Sequence, residues 1–451
     1  MAEIVPLRRN LQFQLLWIGS AVSQVGMELT KLAMPLLVLA LTGSPGWAGI
    51  VAGARTAASI AAQLPAGVWV DRWDRRRTLI AGQGLQTVVA AALAVLILTG
   101  QVSVWHLIVL GMADGVCAAF IGPARTTAIR GVVPVVQLPS AFAQEEARGH
   151  AARLIGPPLG ALLYGLGRAV PFLVDAVTFL VAMLCALFAK VPRRAGQRDG
   201  AGQQDGAGWQ NGAGQQDGTG QQGGAGPQDG TGQQDGAERP AARSMREEVA
   251  EAVGWLWRQP GLRAVCVVAM MLNLLGSAFL LPLIVLVGER GGSALNTGTV
   301  LAGVGIGGLA GALLAGRAGT LLPPGRLTIT FAAVFGLSIA AMALPFGPWW
   351  PMVPLMLFSV TTPAFNVVID VVITRLVPES MLGRVDAALS TVGFGLAPLG
   401  PVVGGALAAA LGGAASLVVI GGLLLLTSAG AALSGELRRF TGAEEPDEVR
   451  R

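Results

Sequence analysis

Long apolar runs alternate along the whole chain with short connectors rich in charge, Gly or Pro. Twelve of these runs reach the roughly 20 residues that a helix needs to cross a bilayer. They begin near residues 12, 46, 78, 103, 141 and 169 in the first half, and near 262, 295, 326, 350, 384 and 414 in the second. The pattern predicts an all-α polytopic membrane protein. The first run is not followed by a small-residue cleavage site, so it is expected to stay as a helix and not to leave as a signal peptide.

Charge gives the spans a direction. Arg8 and Arg9, Arg72, Arg75, Arg76 and Arg77, Arg125 and Arg130, Lys190, Arg193 and Arg194 fall in every second connector, as do Arg317, Arg326, Arg375, Arg384, Arg438 and Arg439. The opposite connectors hold only Arg168 and Arg290. Cationic loops stay in the cytoplasm, so both termini are expected there, in the cytoplasmic membrane of a bacterium. Composition agrees: 53% of residues are hydrophobic and 13% charged, against about a quarter charged in a soluble domain. Mean hydropathy is +0.62. The net charge of +5 follows from the loop arginines and does not predict nucleic acid as a partner. Cys117, Cys185 and Cys266 sit in apolar runs without metal spacing, and His106 and His150 stand alone, so no metal site is expected.

Four regions emerge: a first bundle (residues 1–190), a linker (191–243), a second bundle led by a surface helix (244–435) and a tail (436–451). Within the linker, residues 201–236 are six copies of a six-residue Ala/Thr-Gly-x-Gln-x-Gly unit. Such a tract has too little apolar area to offset ordering entropy, and a flexible cytoplasmic tether is expected. In the stretch 244–257, Met245, Val249, Val253 and Leu256 recur at helical spacing, the mark of an amphipathic helix on a membrane surface. The halves also match at a constant offset of 244 residues. Val133, Pro134, Leu138, Ala143, Gly156, Pro157 and Gly160 correspond to Val377, Pro378, Leu382, Ala387, Gly400, Pro401 and Gly404. Two related six-helix bundles are the architecture of many carriers, with the substrate site near the midplane.

The connector after span 2 reads Gly67-Val-Trp-Val-Asp71-Arg72-Trp-Asp74-Arg75-Arg76-Arg77-Thr-Leu79. It resembles the signature loop of the major facilitator superfamily, Gly-x-Leu-Ala-Asp-Arg-x-Gly-Arg-Arg/Lys-x-x-Leu. Gly67, Asp71, Arg72, Arg75, Arg76 and Leu79 fall on motif positions, and Asp74 replaces the second Gly. A loop that served topology alone would need the arginines but neither Gly67 nor Asp71 at these spacings. The resemblance implies that Asp71 faces the N-terminal end of span 11 as a latch, with Arg72, Arg75 and Arg76 pairing with it or with lipid phosphate. Gly156-Pro157-x-x-Gly160 in span 5, echoed by Gly400-Pro401-x-x-Gly404 in span 11, resembles the exporter branch's motif and is expected as a pivot at the interface between halves. The resemblance, to the bacterial twelve-span efflux branch with its siderophore exporters and macrolide- and multidrug-efflux proteins, covers nearly all the chain outside the linker. It implies the major facilitator fold: twelve transmembrane helices in two pseudo-symmetric six-helix bundles.

Polar residues inside apolar spans mark pathways, because an unpaired charge in the bilayer is expensive. Span 1 carries Ser20, Gln24, Glu28 and Lys31 at helical spacing, span 2 carries Arg55, span 4 Asp114, span 7 Asn273 and Ser277, and span 10 Thr362, Asn366, Asp370 and Thr374. In the family these helices other than span 2 line the central cavity. Glu28 and Asp114 are the expected proton-coupled groups; for Glu28 the alternative is a permanent ion pair with Lys31 or Arg55. Asp175 in span 6 resembles a family position of structural role, with a part in transport the alternative. Trp17, Phe279, Phe365 and Phe394 are available to an apolar substrate or to packing.

These features predict a secondary-active exporter, not an enzyme, that works as a monomer. It would move a small amphipathic organic molecule (drug, siderophore or secondary metabolite), with no cofactor and a proton gradient as driving force. No phosphate-binding Gly-x-x-x-x-Gly-Lys-Ser/Thr loop is present. An uptake permease of the same fold and a non-transporting membrane sensor or scaffold are the alternatives.

Overall fold

The computed structural model describes residues 6–190, 254, 257–318, 323–376 and 392–439. Regular structure among them is helical. The first half contains α1 (Leu11–Thr42), α2 (Pro45–Arg72), α3 (Arg75–Leu98), α4 (Val104–Val132), α5 (Leu138–Leu166) and α6 (Val170–Phe188). The second contains α7 (Pro260–Ala278) and α8 (Leu280–Glu289), which together make one crossing, then α9 (Ala294–Ala318), α10 (Pro324–Ala341), α11 (Met352–Leu376), α12 (Leu399–Leu433) and the short α13 (Gly435–Arg439). α12 is two crossings joined at a bend where Gly412 has φ 77° and ψ 178°, a conformation that only glycine adopts readily.

Nine helical stretches among the described residues are long and apolar enough to span a bilayer, the bent stretch Val392–Leu433 counting as one. α2 and α5, diluted by Gly, Pro and polar residues, complete the twelve expected crossings. Apart from the eleventh span, whose expected start near 384 lies outside the described residues, observed starts lie within a few residues of those expected, because Pro at the first or second helical position sets the entry of α2, α5, α6, α7 and α10. The 201–236 repeat and nearly all of the 244–257 helix lie outside the described residues. So do Val377, Pro378, Leu382 and Ala387 of the repeat and residues 440–451.

We call the face where α1 begins and α12 ends proximal, and the opposite face distal. In the first half α1 packs on α5 and α6, α2 on α4, and α3 on α4 and α6; in the second, α9 packs on α11, and α12 on α7, α8 and α10. The halves join mainly through α5 with α9 and α2 with α12, and α2 also touches α8. One buried apolar cluster runs from Leu32, Leu37 and Val51 through Leu281 and Leu286 to Ile420 and Leu424, so the halves share a core. At the distal rim, Arg290 donates to the carbonyls of Ala343 (2.7 Å) and Gly347 (3.2 Å), which accounts for a cation in an otherwise charge-poor connector. Glu289 beside it accepts from the backbone N–H of Gly413 (3.0 and 3.2 Å) and caps the last crossing just after the Gly412 bend.

Candidate functional site

A cavity of about 230 Å³ lies in the distal half of the first bundle. Met27, Met34, Leu93, Leu110, Phe172 and Phe179 make its apolar wall, while Lys31, Arg55, Asp114 and Asp175 supply charge. Leu280 and Pro401 of the second half close one side. This volume is below the roughly 300–1,000 Å³ that seats a drug-sized ligand, yet it has room for several waters.

The polar centre of the cavity is a three-helix network. Arg55 donates from Nε to Asp114 Oδ2 at 2.7 Å, its Nη2 lies 2.7 Å from the same oxygen, and Gln86 Nε2 donates to Oδ1 at 2.8 Å. Depth dictates the pairing. Arg55 is ten residues from the start of α2 and Asp114 ten from the start of α4, so at 1.5 Å per residue both sit about 15 Å below the distal ends. Gly115, next to Asp114, lets α4 close on the Arg55 backbone: an added Cβ would overlap the Arg55 carbonyl oxygen and stand 3.2 Å from its carbon. Asp114 therefore has the cationic partner that its own span lacks. Arg55 is thereby taken from Glu28, whose partner is Lys31, one turn on (2.5 Å).

The polar stripe of α1 divides. Lys31, its side chain 53% exposed, reaches the cavity, whereas Glu28 and Gln24 face α5 inside the bundle. Glu28 lies under Gly156, and Gln24 accepts from Arg148 Nη2 (3.3 Å). Arg148 also donates to Glu145 (2.8 Å), which lies 3.6 Å from Arg125. In the second half the corresponding polar groups hold the bundle together. Asn273 donates to the Ala269 and Gly393 carbonyls (3.0 and 3.2 Å), and Ser277 to those of Leu274 and Ala397 (2.9 and 3.0 Å). Asn366 is exposed, and the side chain of Asp370 lies outside the described residues.

The six pivot residues do not all sit at the interface between halves. Gly156 and Gly160 face Glu28 and Leu29 of α1, and Gly400 and Gly404 face Leu274, Ser277 and Ala278 of α7, so these four glycines hold a helix pair within each half. The prolines point the other way. The Pro157 carbonyl faces Gly298 of α9, and that of Pro401 faces Gly49 of α2. A helix that must pack on both sides presents one face to its own bundle and the opposite face to the other, and i, i+4 glycines supply only one of these. Sequence inspection did not single out the glycines on the far side of the seam, Gly49 and Gly53 of α2, which meet Pro401, Pro398 and Val402, and Gly298 and Gly305 of α9, which meet Pro157 and Leu154, because no family motif marks them. Gln86 was missed too; it stands on α3 beside Gln83 and Thr87, and nothing in the sequence marks it apart from them.

In the signature loop the side chains of Gly67, Asp71 and Arg72 lie outside those described, so the expected latch does too. Arg76 donates from Nε to the Ala186 carbonyl (3.2 Å) and from Nη2 to that of Leu187, and Arg75 to Thr127 (3.5 Å). The Ala186 and Leu187 carbonyls belong to the last turn of α6, where cations are favoured; Thr127 lies one turn before the last of α4. Asp74, which replaces the motif's second Gly, accepts from the Arg76 and Arg77 backbone N–H groups (2.9 and 3.2 Å) and caps α3.

The sequence profile of the Major Facilitator Superfamily matches residues 16–258. The chain is 25% identical over 400 residues to the multidrug efflux pump Tap of Mycolicibacterium fortuitum, an alignment covering 85% of this chain and 86% of the relative. It is also 25% identical over 195 residues to macrolide efflux protein A of Streptococcus pyogenes, covering 41% and 46%. Among solved structures, the fold resembles a bacterial homologue of the human lysosomal transporter Spinster in an inward-facing, occupied conformation, with TM-score 0.69, 14% identity and coverage of 98% and 100%. It also resembles the nucleoside transporter NupG, with TM-score 0.66, 11% identity and coverage of 96% and 99%.

Proposed function

Since the chain belongs to the Major Facilitator Superfamily and folds as a multi-pass membrane carrier, we propose that it exports a small amphipathic organic molecule across the bacterial cytoplasmic membrane by proton antiport with alternating access. The observation that carries this reading is the seam between the halves. Gly49 and Gly53 near the distal start of α2, Gly405 near the distal bend of α12, and Gly298 and Gly305 on α9 let backbones of opposite halves touch. With the arginine-rich proximal face in the cytoplasm, this is the pose closed to the outside. A rocking motion that opens these glycine contacts would expose the midplane to the other side. The substrate would occupy the seam, and Arg55, Asp114 and Gln86 behind it would couple its passage to protons. The direction rests on the likeness to the multidrug and macrolide efflux proteins.

Purified protein in proteoliposomes, with an imposed pH gradient and the fluorescent amphipathic cation ethidium as probe, tests the proposal. Ethidium should accumulate in the compartment from which protons leave, and collapse of the gradient should abolish accumulation. Accumulation in the direction of proton flow would identify an uptake carrier instead, and no flux of ethidium or of a labelled macrolide would leave the exporter reading without support.

A further inference from the structure

Glu28 and Asp114, the carboxylates expected to exchange protons, each hold a cation in this structure. A third carboxylate, in the chamber that Asp114 lines, does not. Asp175 is 5% exposed and lines the cavity, and among the described residues no Lys, Arg or His nitrogen lies within 4.0 Å of its carboxylate. Its hydrogen-bonding neighbour is a hydroxyl. Thr178 Oγ1 donates to the Asp175 backbone carbonyl at 2.7 Å and lies 3.4 Å from Oδ1, while the Thr30 hydroxyl of α1, on the same cavity, donates to the Gly26 and Met27 carbonyls (3.3 and 3.2 Å). Gly26 makes the space, since an added Cβ there would overlap Oδ1 of Asp175 and the Thr178 hydroxyl. The charged groups facing it are Arg55 of α2 and Asp114 of α4, with Lys31 of α1 on the same cavity; α3 adds only the neutral Gln86.

A buried carboxylate without a cation is costly, and the neutral acid is not. Among the described residues Arg55 is the one guanidinium lining this chamber, and Asp114 already holds it. We infer that Asp175 is the residue that carries the coupled proton and that its ionisation acts by competing with Asp114 for Arg55; this rests on the antiport reading above. A proton from distal water bonds to a carboxylate oxygen of Asp175, and the same proton later returns to proximal water; no electrons move. While Asp175 is protonated, Arg55 stays on Asp114 and the chamber is electrically balanced. On deprotonation two carboxylates face one guanidinium, and Arg55 is drawn between them. Arg55 lies two residues from Gly53, whose added Cβ would meet the Pro398 carbonyl at 2.8 Å and Val402 Cγ2 at 2.7 Å. Displacement of Arg55 therefore loads the seam at which the halves separate.

The test uses full-length protein in liposomes: wild type, Asp175→Asn, Asp175→Glu and Asp114→Asn. Infrared difference spectra across a pH titration need no substrate. The carbonyl band of a buried protonated carboxylic acid should be present in wild type at neutral pH, missing in Asp175→Asn, and weakened in Asp114→Asn, where Arg55 is free to hold Asp175 ionised. A band that persists in Asp175→Asn, or is absent from wild type, overturns the inference. For transport, Asp175→Asn should lose ethidium accumulation driven by a pH gradient yet keep ethidium counterflow without one, which a misfolded carrier would also lose. Asp175→Glu should restore the driven mode. Driven accumulation by Asp175→Asn equal to wild type would overturn the assignment while leaving antiport intact. Wild-type flux indifferent to the gradient would remove the antiport reading, and this inference with it.

Discussion

Two glycines of nearly identical steric environment separate rocking from folding. In Gly298→Ala the new Cβ would sit 2.6 Å from the Pro157 carbonyl oxygen and 2.8 Å from Ala161 Cβ, across the seam between α9 and α5. In Gly160→Ala it would sit 2.6 Å from the Leu29 carbonyl oxygen and 3.0 Å from Leu29 Cα, within the first half. Carbon atoms settle at about 3.5–4.0 Å, so each contact must open by roughly 1 Å. Overpacking of this kind costs about 1–3 kcal/mol. At Gly160 the penalty falls on every folded state, because α1 and α5 move together, and it should appear as a lower unfolding temperature with little change in conformation. At Gly298 it falls on the distally closed pose alone, and about 1–3 kcal/mol of differential energy shifts a two-state ratio by roughly 5–150-fold. Spin labels on Gln101→Cys and Ser293→Cys, at exposed distal positions of opposite halves in a background without Cys117, Cys185 and Cys266, read that ratio by pulsed dipolar spectroscopy. The long-distance population should grow in Gly298→Ala and stay at its wild-type level in Gly160→Ala. If both variants give the wild-type distribution, or both shift it alike, the division of the Gly-Pro helix into an inner-bundle face and a seam face is refuted.

Asp114→Asn removes charge-assisted bonds from Arg55 and should cost about 1.5–3 kcal/mol, measured by thermal unfolding in detergent; the double variant with Arg55→Gln should lose less than the sum of the single changes, since the two residues share one interaction. Gly412→Ala should destabilise the last crossing by about 1–3 kcal/mol, because its backbone conformation excludes a side chain and the Cβ would lie 2.8 Å from Glu289 Oε1; hydrogen exchange at the start of that crossing should rise. Deletion of residues 201–236 should leave ethidium export unchanged, as the composition of this Gly/Gln tract asks of it only that it join the bundles. Loss of export on that deletion would favour a signalling or docking role for the linker.

The apolar rhythm, the spacing of arginines and the 244-residue offset were enough to establish the number of crossings, their division into two related halves and the position of the polar spans. Each of these depends on local quantities: the length of chain that crosses a bilayer, and the charge of the connectors that bound it. Pairing belonged to the tertiary structure. Glu28 could have held Arg55, and Asp114 had no partner in its own helix; only the close approach of α2 to α4 at Gly115 brings Arg55 onto Asp114 and leaves Glu28 with Lys31. Sequence likewise placed Gly156 and Gly160 on one face of a helix without saying which neighbour that face meets. Which acid is left without a cation, and which glycines form the seam, follow from how helices remote in sequence pack, since a side chain's partner is set by rotation and depth in the bundle and not by its position along the chain.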